Sequence, residues 1–297
     1  MRGVFPILAM PFDAAGRIDV ESLQREVEYM VQARVHGVGI ALASEIPTLN
    51  ESERDLALRT VVEQARGRVK VVMNTSAAGT DLAIFYTLRA QELGADAVMV
   101  LPPPPATTTA DETVAYYVRI ASATQLPIFL QDVATSPVSP ALARRIASSL
   151  EHDWYIKVET PPTPPRVAEA VGSGGERLTV FGGAGGIMFL EELDRGSVGT
   201  MPGPAIPEVF VQVWDLFWAG RVDEARSVFS RYATLLNLLS QGTGIWAYLY
   251  KEILRLRGVF PSTATSVRKP ATQPDELTYR ELRQQVELLG LERSLLV

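Results

Sequence analysis

The chain has 297 residues, is 47% hydrophobic and carries a net charge of −6, with no cysteine. The lack of cysteine excludes disulfides and cysteine nucleophiles, and His36 and His152 do not have the spacing of metal ligands. Without a basic excess to hold a phosphate backbone, neither a metal ion nor a nucleic acid is expected as a partner.

The N-terminal segment 1–13 is apolar, but Pro6 and Pro11 interrupt it and a convincing cleavage site is lacking. It is therefore interpreted as a first strand and not as a signal peptide. No run of about 18 apolar residues is present, so no membrane span is expected. Together these features predict a cytoplasmic protein that does not bind membranes.

Apolar segments alternate with amphipathic ones along the chain. The apolar segments are continuous runs, which is typical of parallel strands that are covered on both faces. Strands are predicted at residues 4–11, 37–43, 69–75, 96–102, 127–133, 154–160, 178–183 and 197–203. Helices are predicted between or after them, for example at residues 19–32, 51–65, 81–94, 111–123, 139–150, 187–196 and 206–220.

Eight successive strand–helix units predict an α/β fold, a TIM (β/α)8 barrel. The alternative is a doubly wound open sheet with a glycine-rich phosphate loop after an early strand, but the glycine cluster 182–186 follows the seventh strand. Helices predicted at 223–241, 244–258 and 278–290 add a C-terminal extension of two to three helices. The predicted domains are a barrel over 1–220 and an extension over 221–297, packed as one structural unit.

Barrels of this class carry their active sites at the carboxyl ends of the strands. This rule selects a short set of candidate site residues: Pro11, Ser44, Glu45, Asn74, Thr75, Gln131, Asp132, Lys157, Glu159, Gly182, Gly183, Thr200 and Met201. Ser44 and Glu45 lie at a turn whose hydroxyl and N–H groups could hold a substrate carboxylate. Gly183 would let the backbone approach a ligand closely, and Met201 is a candidate for substrate contact at the end of strand eight.

Lys157 is unusual because it lies within a predicted buried strand, 154-WYIKVET-160. Of the other three lysines, Lys70 lies near the start of a strand, and Lys251 and Lys269 are expected to be solvated. Burial disfavours the ammonium form, and a neutral amine attacks a ketone to form a Schiff base. A purely structural ion pair with a barrel carboxylate is the alternative.

Glu159 follows Lys157 by two residues, so both side chains are expected on the same face of the strand. Its carboxylate is a candidate general base, although it could equally serve only as the ion-pair partner of Lys157. Tyr155, two residues before Lys157, is expected deeper on that face as part of the core.

These residues resemble the dihydrodipicolinate synthase / N-acetylneuraminate lyase family of Schiff-base lyases, and the resemblance covers essentially the whole chain. Its most specific elements are 156-IKVET-160, the opening segment 4–19 and the strand-two motif that leads into 49-LNESERD-55. The resemblance implies a Schiff base between Lys157 and a 2-keto acid, no metal or organic cofactor, and a homo-oligomer, typically a tetramer.

Two positions depart from the family's motifs. The strand-two segment 42-LASEIPT-48 lacks the usual pair of threonines, although Glu45 matches the motif's glutamate. Gln131 occupies the strand-five position of the family's proton-shuttling tyrosine, and an amide is neither a general acid nor a general base near neutral pH. Aldol cleavage must take the proton of the C4 hydroxyl, whereas dehydration takes a C3 proton and expels that hydroxyl. Gln131 at the tyrosine position therefore favours dehydration, with Glu159 as a candidate base.

The strand-two Ser-Glu, the strand-five Gln-Asp and the strand-six Lys-x-Glu-Thr-Pro resemble the 2-keto-3-deoxyarabinonate dehydratase branch of the family. In that branch Gln131 and Asp132 would orient substrate hydroxyls, but strand alternation makes only one of them certain to point inward. One alternative is a pyruvate-dependent aldolase or dihydrodipicolinate synthase-like enzyme, which would need a tyrosine such as Tyr248 or Tyr250 at the site. Another is a barrel that binds a keto acid without catalysis.

Overall fold

The computed structural model describes residues 1–103, 109–242 and 244–292. Eight strands form one sheet in the order β1-β8-β7-β6-β5-β4-β3-β2. This is the strand order of a (β/α)8 barrel, and it confirms the predicted fold class. The strands are β1 Gly3–Val4, β2 Gly37–Ile40, β3 Lys70–Asn74, β4 Ala97–Val100, β5 Ile128–Asp132, β6 Trp154–Val158, β7 Leu178–Gly185 and β8 Gly199–Pro202.

Helices follow the strands as the sequence pattern predicts. They are α1 Val20–Gln32, α2 Glu51–Ala65, α3 Thr80–Glu92, α4 Ala110–Ala123, α5 Pro140–Ser149, α6 Thr163–Gly174, α7 Phe189–Leu193, α8 Pro207–Trp218, α9 Val222–Ser230, α10 Ala233–Leu239, α11 Ile245–Leu256 and α12 Glu276–Leu288. Several begin at side-chain caps: Asp19, Asn50, Thr109 and Ser139 each accept a hydrogen bond from a backbone N–H in the first turn. Such caps satisfy N–H groups that have no partner within the helix.

The chain divides into two compact units, one formed by residues 3–70 and 202–297 and the other by residues 71–201. The boundary predicted at residue 220 is a different division and stays a prediction. The last five residues of the predicted extension, 293–297, lie outside the described residues.

The unit of residues 71–201 contains a parallel ladder from β3 to β7. Its register places Gln131 opposite Lys157, and Lys157 opposite Phe181. Aromatic rings from three adjacent strands pack together within the ladder: the ring centroids of Phe129 and Tyr155 lie 4.6 Å apart, and those of Phe129 and Phe181 lie 5.3 Å apart. All three side chains are buried, so the prediction that Tyr155 belongs to the core is confirmed.

In the unit of residues 3–70 and 202–297, the first strand is much shorter than predicted. Only Gly3–Val4 is regular strand, because Pro6 and Pro11 have no N–H to donate to a ladder. The backbone nevertheless continues to pair, since the N–H of Ile7 donates to Pro202 and that of Leu8 to Gly39.

The C-terminal extension contains four described helices after α8, and not the two to three that were predicted. The predicted helix 223–241 is divided into α9 and α10, because the N–H groups of Arg231 and Tyr232 bond to the carbonyls three residues earlier. None of the helices in the described ranges combines the length and apolar character that crossing a bilayer requires.

Candidate functional site

A polar layer lies above the aromatic rings in the unit of residues 71–201. Gln131, Lys157 and Gly183 each follow, by two residues, one of the packed aromatic residues Phe129, Tyr155 and Phe181. Side chains two residues apart in a strand point to the same face. The polar groups therefore lie on the same face as the aromatic rings, one layer closer to the carboxyl ends of the strands. These three positions lie near the carboxyl ends of β5, β6 and β7, and Gln131 and Lys157 supply the polar side chains.

Lys157 and Glu159 form the central contact of this layer. The Nζ atom of Lys157 lies 3.0 Å from Oε1 of Glu159, and the two side chains are only 4% and 16% exposed. Regular strand ends at Val158, so Glu159 lies just beyond it, but both side chains still share one face as predicted. The pair places a nearly buried amine in direct contact with a carboxylate.

Gly183 has no side chain, and the Lys157–Glu159 pair fills the space that a side chain there would take. A Cβ atom added to Gly183 would lie 2.5 Å from Cγ of Glu159 and 2.9 Å from Cε of Lys157. Real carbon contacts are longer, so a side chain at this position would displace the pair. The backbone N–H of Ala184, the next residue, donates to Oε1 of Glu159 at 3.2 Å.

Gln131 joins this cluster from β5. Its Nε2 donates to Oε2 of Glu159 at 3.1 Å, and its Oε1 accepts from Nδ2 of Asn74 at 3.0 Å. Gln131 and Asn74 are both 1% exposed. The structure therefore brings together Lys157, Glu159, Gln131, Asn74 and Gly183 from the predicted set of site residues.

Asp132 points to the opposite side of β5, where protein donors take up its carboxylate. Arg166 of α6 donates to both oxygens, Thr160 donates to Oδ1 at 2.7 Å, and the N–H of Val138 donates to Oδ1 at 2.9 Å. The side chain is fully buried. Alternation along the strand turns Gln131 inward and Asp132 outward, so the structure gives Asp132 an anchoring role in place of the predicted contact with substrate hydroxyls.

Ser44 and Glu45 belong to the unit of residues 3–70 and 202–297, and both are engaged by protein groups. The hydroxyl of Ser44 donates to the carbonyl of Leu8 at 2.6 Å, and it accepts from the N–H of Ala41 at 3.1 Å. Oε1 of Glu45 lies 2.5 Å from Nζ of Lys251, and Oε2 accepts from the N–H of Arg268 at 2.8 Å. The Ser44 hydroxyl and the backbone N–H groups of both residues were predicted to hold a substrate carboxylate. All three have protein partners, because the N–H of Ser44 donates to Ala41 and that of Glu45 to Leu42.

The prediction that Lys251 is solvated was wrong. Lys251 is fully buried on α11, where its Nζ contacts Glu45, donates to the carbonyl of Ser266 at 2.5 Å and lies 4.6 Å from the ring centre of Phe12. Burial lowers the pKa of Lys251, and the charge of Glu45 opposes that shift. The helical pattern of α11 did not distinguish its buried face from its exposed face at this lysine.

The chain matches the model of one known protein family over nearly its whole length. The model of the "Dihydrodipicolinate synthetase family" matches residues 1–289. The chain belongs to this family. The resemblance predicted from 156-IKVET-160 is thereby confirmed.

Individual relatives agree with the family assignment. An L-2-keto-3-deoxyarabonate dehydratase of Azospirillum brasilense is 31% identical over 301 residues, covering 99% of this chain and 94% of that protein. A 4-hydroxy-tetrahydrodipicolinate synthase of Magnetococcus marinus is 28% identical over 250 residues, 80% of this chain and 82% of that protein. The crystal structure of a dihydrodipicolinate synthase from Aquifex aeolicus shares the fold with a TM-score of 0.91, 23% identity and 99% of both chains covered.

The aldolase alternative would need a tyrosine at the site of this member of the dihydrodipicolinate synthetase family. Tyr248 and Tyr250, the two candidates for that role, both lie on α11. The ring of Tyr250 packs on Gly203, directly after β8, and a Cβ atom at Gly203 would overlap it. The hydroxyl of Tyr248 accepts a hydrogen bond from exposed Lys269 at 2.6 Å. On β8 itself, Met201 and Thr200 are buried, and the Thr200 hydroxyl has no partner among the described residues.

Glu192 on α7 is a buried acid that the sequence analysis missed. Its Oε1 accepts from the Thr163 hydroxyl at 2.6 Å, whereas Oε2 has no hydrogen-bond partner in the described chain. The carboxyl packs on Gly182, where a Cβ atom would overlap Oε2. Burial raises the pKa of Glu192 to about 8, the charges of Glu159 and Glu191 add to the shift, and Thr163 opposes it. Nothing in the local pattern 189-FLEEL-193 separates this acid from an exposed one.

The residues that the structure describes contain no group of three or more histidine, aspartate or glutamate side chains that could hold a metal ion.

The substitution Lys251→Met should lower the free energy of unfolding by about 3–5 kcal/mol, because it leaves the buried Glu45 carboxylate without its cation. Denaturant unfolding measures the difference. The matched control is Lys269→Met at an exposed lysine, which should change stability by less than about 0.5 kcal/mol. Equal stability of the two variants would show that the Glu45–Lys251 contact is not a structural element.

The substitution Glu192→Gln should remove a pH dependence of stability. Between pH 4.5 and about 8 the unfolded chain has released the proton of Glu192 while the folded chain retains it. The free energy of unfolding of the parent should therefore fall with rising pH relative to Glu192→Gln, by up to about 1.4 kcal/mol per pH unit.

Denaturant unfolding at pH 5, 6, 7 and 8 gives these slopes. Glu281→Gln, at an exposed site on α12, serves as the control and should keep the slope of the parent. Parallel curves for the parent and Glu192→Gln would mean that Glu192 is ionised in the folded protein.

Proposed function

We propose that this chain is a Schiff-base lyase that dehydrates a 2-keto-3-deoxy sugar acid, with Lys157 as the nucleophile and Glu159 as the base. The observation that carries the proposal is the 3.0 Å contact between the nearly buried Lys157 amine and the Glu159 carboxylate. A buried lysine with a single carboxylate partner is suited to attack on a ketone, because transfer of its proton to that carboxylate yields the nucleophilic amine.

In the first step, the neutral Lys157 amine adds to the C2 carbonyl of the keto acid. The proton that Glu159 took from Lys157 then leaves with the C2 oxygen as water. This step forms an iminium ion between Nζ and C2 and returns Glu159 to its carboxylate form. The iminium withdraws electrons from C2 and so acidifies the protons on C3, the neighbouring carbon. Because C3 is bonded to the carbon that Nζ holds, its protons come within reach of the carboxylate beside Nζ.

In the second step, Glu159 takes a proton from C3 and the electrons of that C–H bond form an enamine. The enamine nitrogen then returns its electrons, C3 and C4 become doubly bonded, and the C4 hydroxyl leaves. The proton held by Glu159 can accompany the leaving hydroxyl as water. Attack of water on the resulting unsaturated iminium releases the product and restores the Lys157 amine.

Gln131 supports dehydration over aldol cleavage. Cleavage between C3 and C4 requires a group that removes the proton of the C4 hydroxyl, and the Gln131 amide at the family's tyrosine position is not a base. The dehydratase relative, identical at 31% of positions, is consistent with this choice. A pyruvate-dependent aldolase or dihydrodipicolinate synthase-like enzyme is the second candidate, and the observation in its favour is the 28% identity to a 4-hydroxy-tetrahydrodipicolinate synthase.

The substrate contacts within this proposal differ from those first predicted. Gly183 and Met201 remain proposed neighbours of the substrate, and Gln131 is proposed to act on Glu159. Ser44, Glu45 and Asp132 are left out because protein groups occupy their polar atoms. No metal or organic cofactor is required, because the iminium on Lys157 supplies the electron sink.

We also propose a cytoplasmic homo-oligomer, a tetramer as the family resemblance implies. The apolar side chains of Leu82, Phe85 and Leu88 on α3 are 38–50% exposed and offer a surface for subunit contact. Sedimentation of the purified protein should give a mass of four 32.4 kDa chains, and a monomer at micromolar concentration would refute the tetramer.

Borohydride trapping tests the Schiff base. Protein incubated with pyruvate, or with a 2-keto-3-deoxy-pentonate, should after reduction carry one adduct on the peptide that contains Lys157. Lys157→Arg should carry none, whereas Lys70→Arg, at an exposed lysine, should be labelled like the parent. The absence of an adduct, or an adduct elsewhere, would make Lys157 a structural lysine.

Product analysis distinguishes the two lyase reactions. A dehydratase converts the 2-keto-3-deoxy-pentonate without releasing pyruvate, whereas an aldolase yields pyruvate and a two-carbon aldehyde. Glu159→Gln should lose about 10²–10⁴-fold in kcat, the usual contribution of a general base. It should also form the adduct more slowly than the parent, because no carboxylate remains to take the proton of Lys157. Release of pyruvate as the main product would overturn the dehydratase assignment and leave the Schiff base intact.

A further inference from the structure

Four groups in the unit of residues 71–201 form one hydrogen-bonded chain that ends at Glu159. The N–H of Ser76 donates to Oδ1 of Asn74 at 3.1 Å, and Nδ2 of Asn74 donates to Oε1 of Gln131 at 3.0 Å. Nε2 of Gln131 then donates to Oε2 of Glu159 at 3.1 Å. The two amides between the ends are 1% exposed, so water does not compete for their bonds.

The two ends of this chain determine the orientation of both amides. A backbone N–H can only donate, so the atom of Asn74 that faces Ser76 must be its oxygen. The NH2 group of Asn74 therefore faces Gln131, which must present its own oxygen to Asn74 and its NH2 group to Glu159. A flip of either amide would bring two donors or two acceptors together at a buried contact, which costs about 1–3 kcal/mol per unsatisfied group.

The two oxygens of Glu159 depend on different donors. Oε1 contacts Lys157 and the N–H of Ala184, whereas Oε2 accepts from Gln131 and from no other described residue. Among the described residues, Lys157 on β6 contacts Glu159 and Glu192 on α7 interacts with it electrostatically, while β3 and β5 contribute neutral amides. The Gln131 NH2 group is therefore the hydrogen-bond donor through which the neighbouring strands hold Oε2 of Glu159.

We propose that Asn74 is a positioning residue: by fixing the Gln131 amide with its NH2 group toward Glu159, it holds the Glu159 carboxylate in place to accept the C3 proton. The inference rests on the proposed function, in which Glu159 is the base. It gives Gln131 a task that differs from that of the family tyrosine. Asn74 itself need not touch the substrate.

Asn74→Asp tests the inference because it reverses the polarity of the chain with almost no change in shape. One oxygen of the new carboxylate still accepts from Ser76, and the other accepts from Gln131 only if the Gln131 amide turns over. The turned amide presents its oxygen to Oε2 of Glu159, and two facing acceptors favour a proton between them. Glu159 then loses its ability to act as a base at a higher pH than in the parent.

The measurement is the exchange of the pyruvate methyl protons with deuterated water, followed by proton NMR across a range of pH. In the parent, exchange should fall at acid pH as the base becomes protonated. In Asn74→Asp this acid limb should move upward by about 1 to 2 pH units, which corresponds to the loss of one hydrogen bond to a charged group. Borohydride trapping at neutral pH should still label Lys157.

Two controls separate this effect from a general change in charge or packing. Asn237→Asp adds the same charge at an exposed site on α10 and should leave the acid limb in place. In a Gln131→Met background, which has no amide to turn, Asn74→Asp should produce little further shift. An unchanged acid limb in Asn74→Asp, or the same shift with and without Gln131, would overturn the inference.

If Asn74→Asp does not fold, Gln131→Met alone carries the test, because loss of the donor should also move the acid limb upward and an unmoved limb would refute the role. The proposed function fails separately: a parent protein that neither exchanges pyruvate protons nor forms the Lys157 adduct overturns the Schiff-base mechanism itself. Normal exchange in the parent with an unmoved limb in the variants overturns only the role of Asn74.

Discussion

The amine of Lys157 lies 3.0 Å from the carboxylate of Glu159, and both side chains are largely shielded from water. Withdrawing two charges from water costs several kcal/mol per ion, and the cost is recovered only when the remaining hydrogen-bonding positions are satisfied. The surrounding residues satisfy this condition. Gln131 and the N–H of Ala184 donate to the carboxylate, and Gly183 leaves the volume that both side chains fill.

At the end of β5, two adjacent polar residues, Gln131 and Asp132, point to opposite faces of the strand and contact different elements. Gln131 turns toward Glu159, whereas Asp132 turns toward α6 and holds Arg166 and Thr160. The inner residue donates a hydrogen bond to the Glu159 carboxylate, and the outer one attaches α6, the helix that follows β6, to β5. Through these two contacts, the dipeptide Gln131–Asp132 connects the polar layer to α6.

The continuous apolar runs in the sequence were sufficient to predict the strands and the barrel. The i, i+2 spacing was sufficient to predict that Lys157 and Glu159 share a face. Both are local properties of the chain. Lys251 and Glu192 were not recognised, because their burial depends on partners far along the chain, Glu45 for the first and Thr163 with Gly182 for the second. The same limitation applied to Ser44 and Glu45. Their position after a strand was predicted, but the protein groups that occupy their polar atoms were not visible in the sequence.

Gly182 and Gly183 are packed against from opposite faces of β7, the first by the Glu192 carboxyl and the second by the Lys157–Glu159 pair. A side chain at either position would therefore have to displace a different group, the Glu192 carboxyl at Gly182 or the Lys157–Glu159 pair at Gly183. For protein engineering this makes the dipeptide a poor target for saturation libraries, since variants there would disturb either the supporting acid or the reacting pair. Attempts to widen the range of accepted substrates would have to draw on other strand ends, and β7 would be inherited unchanged through rounds of directed evolution.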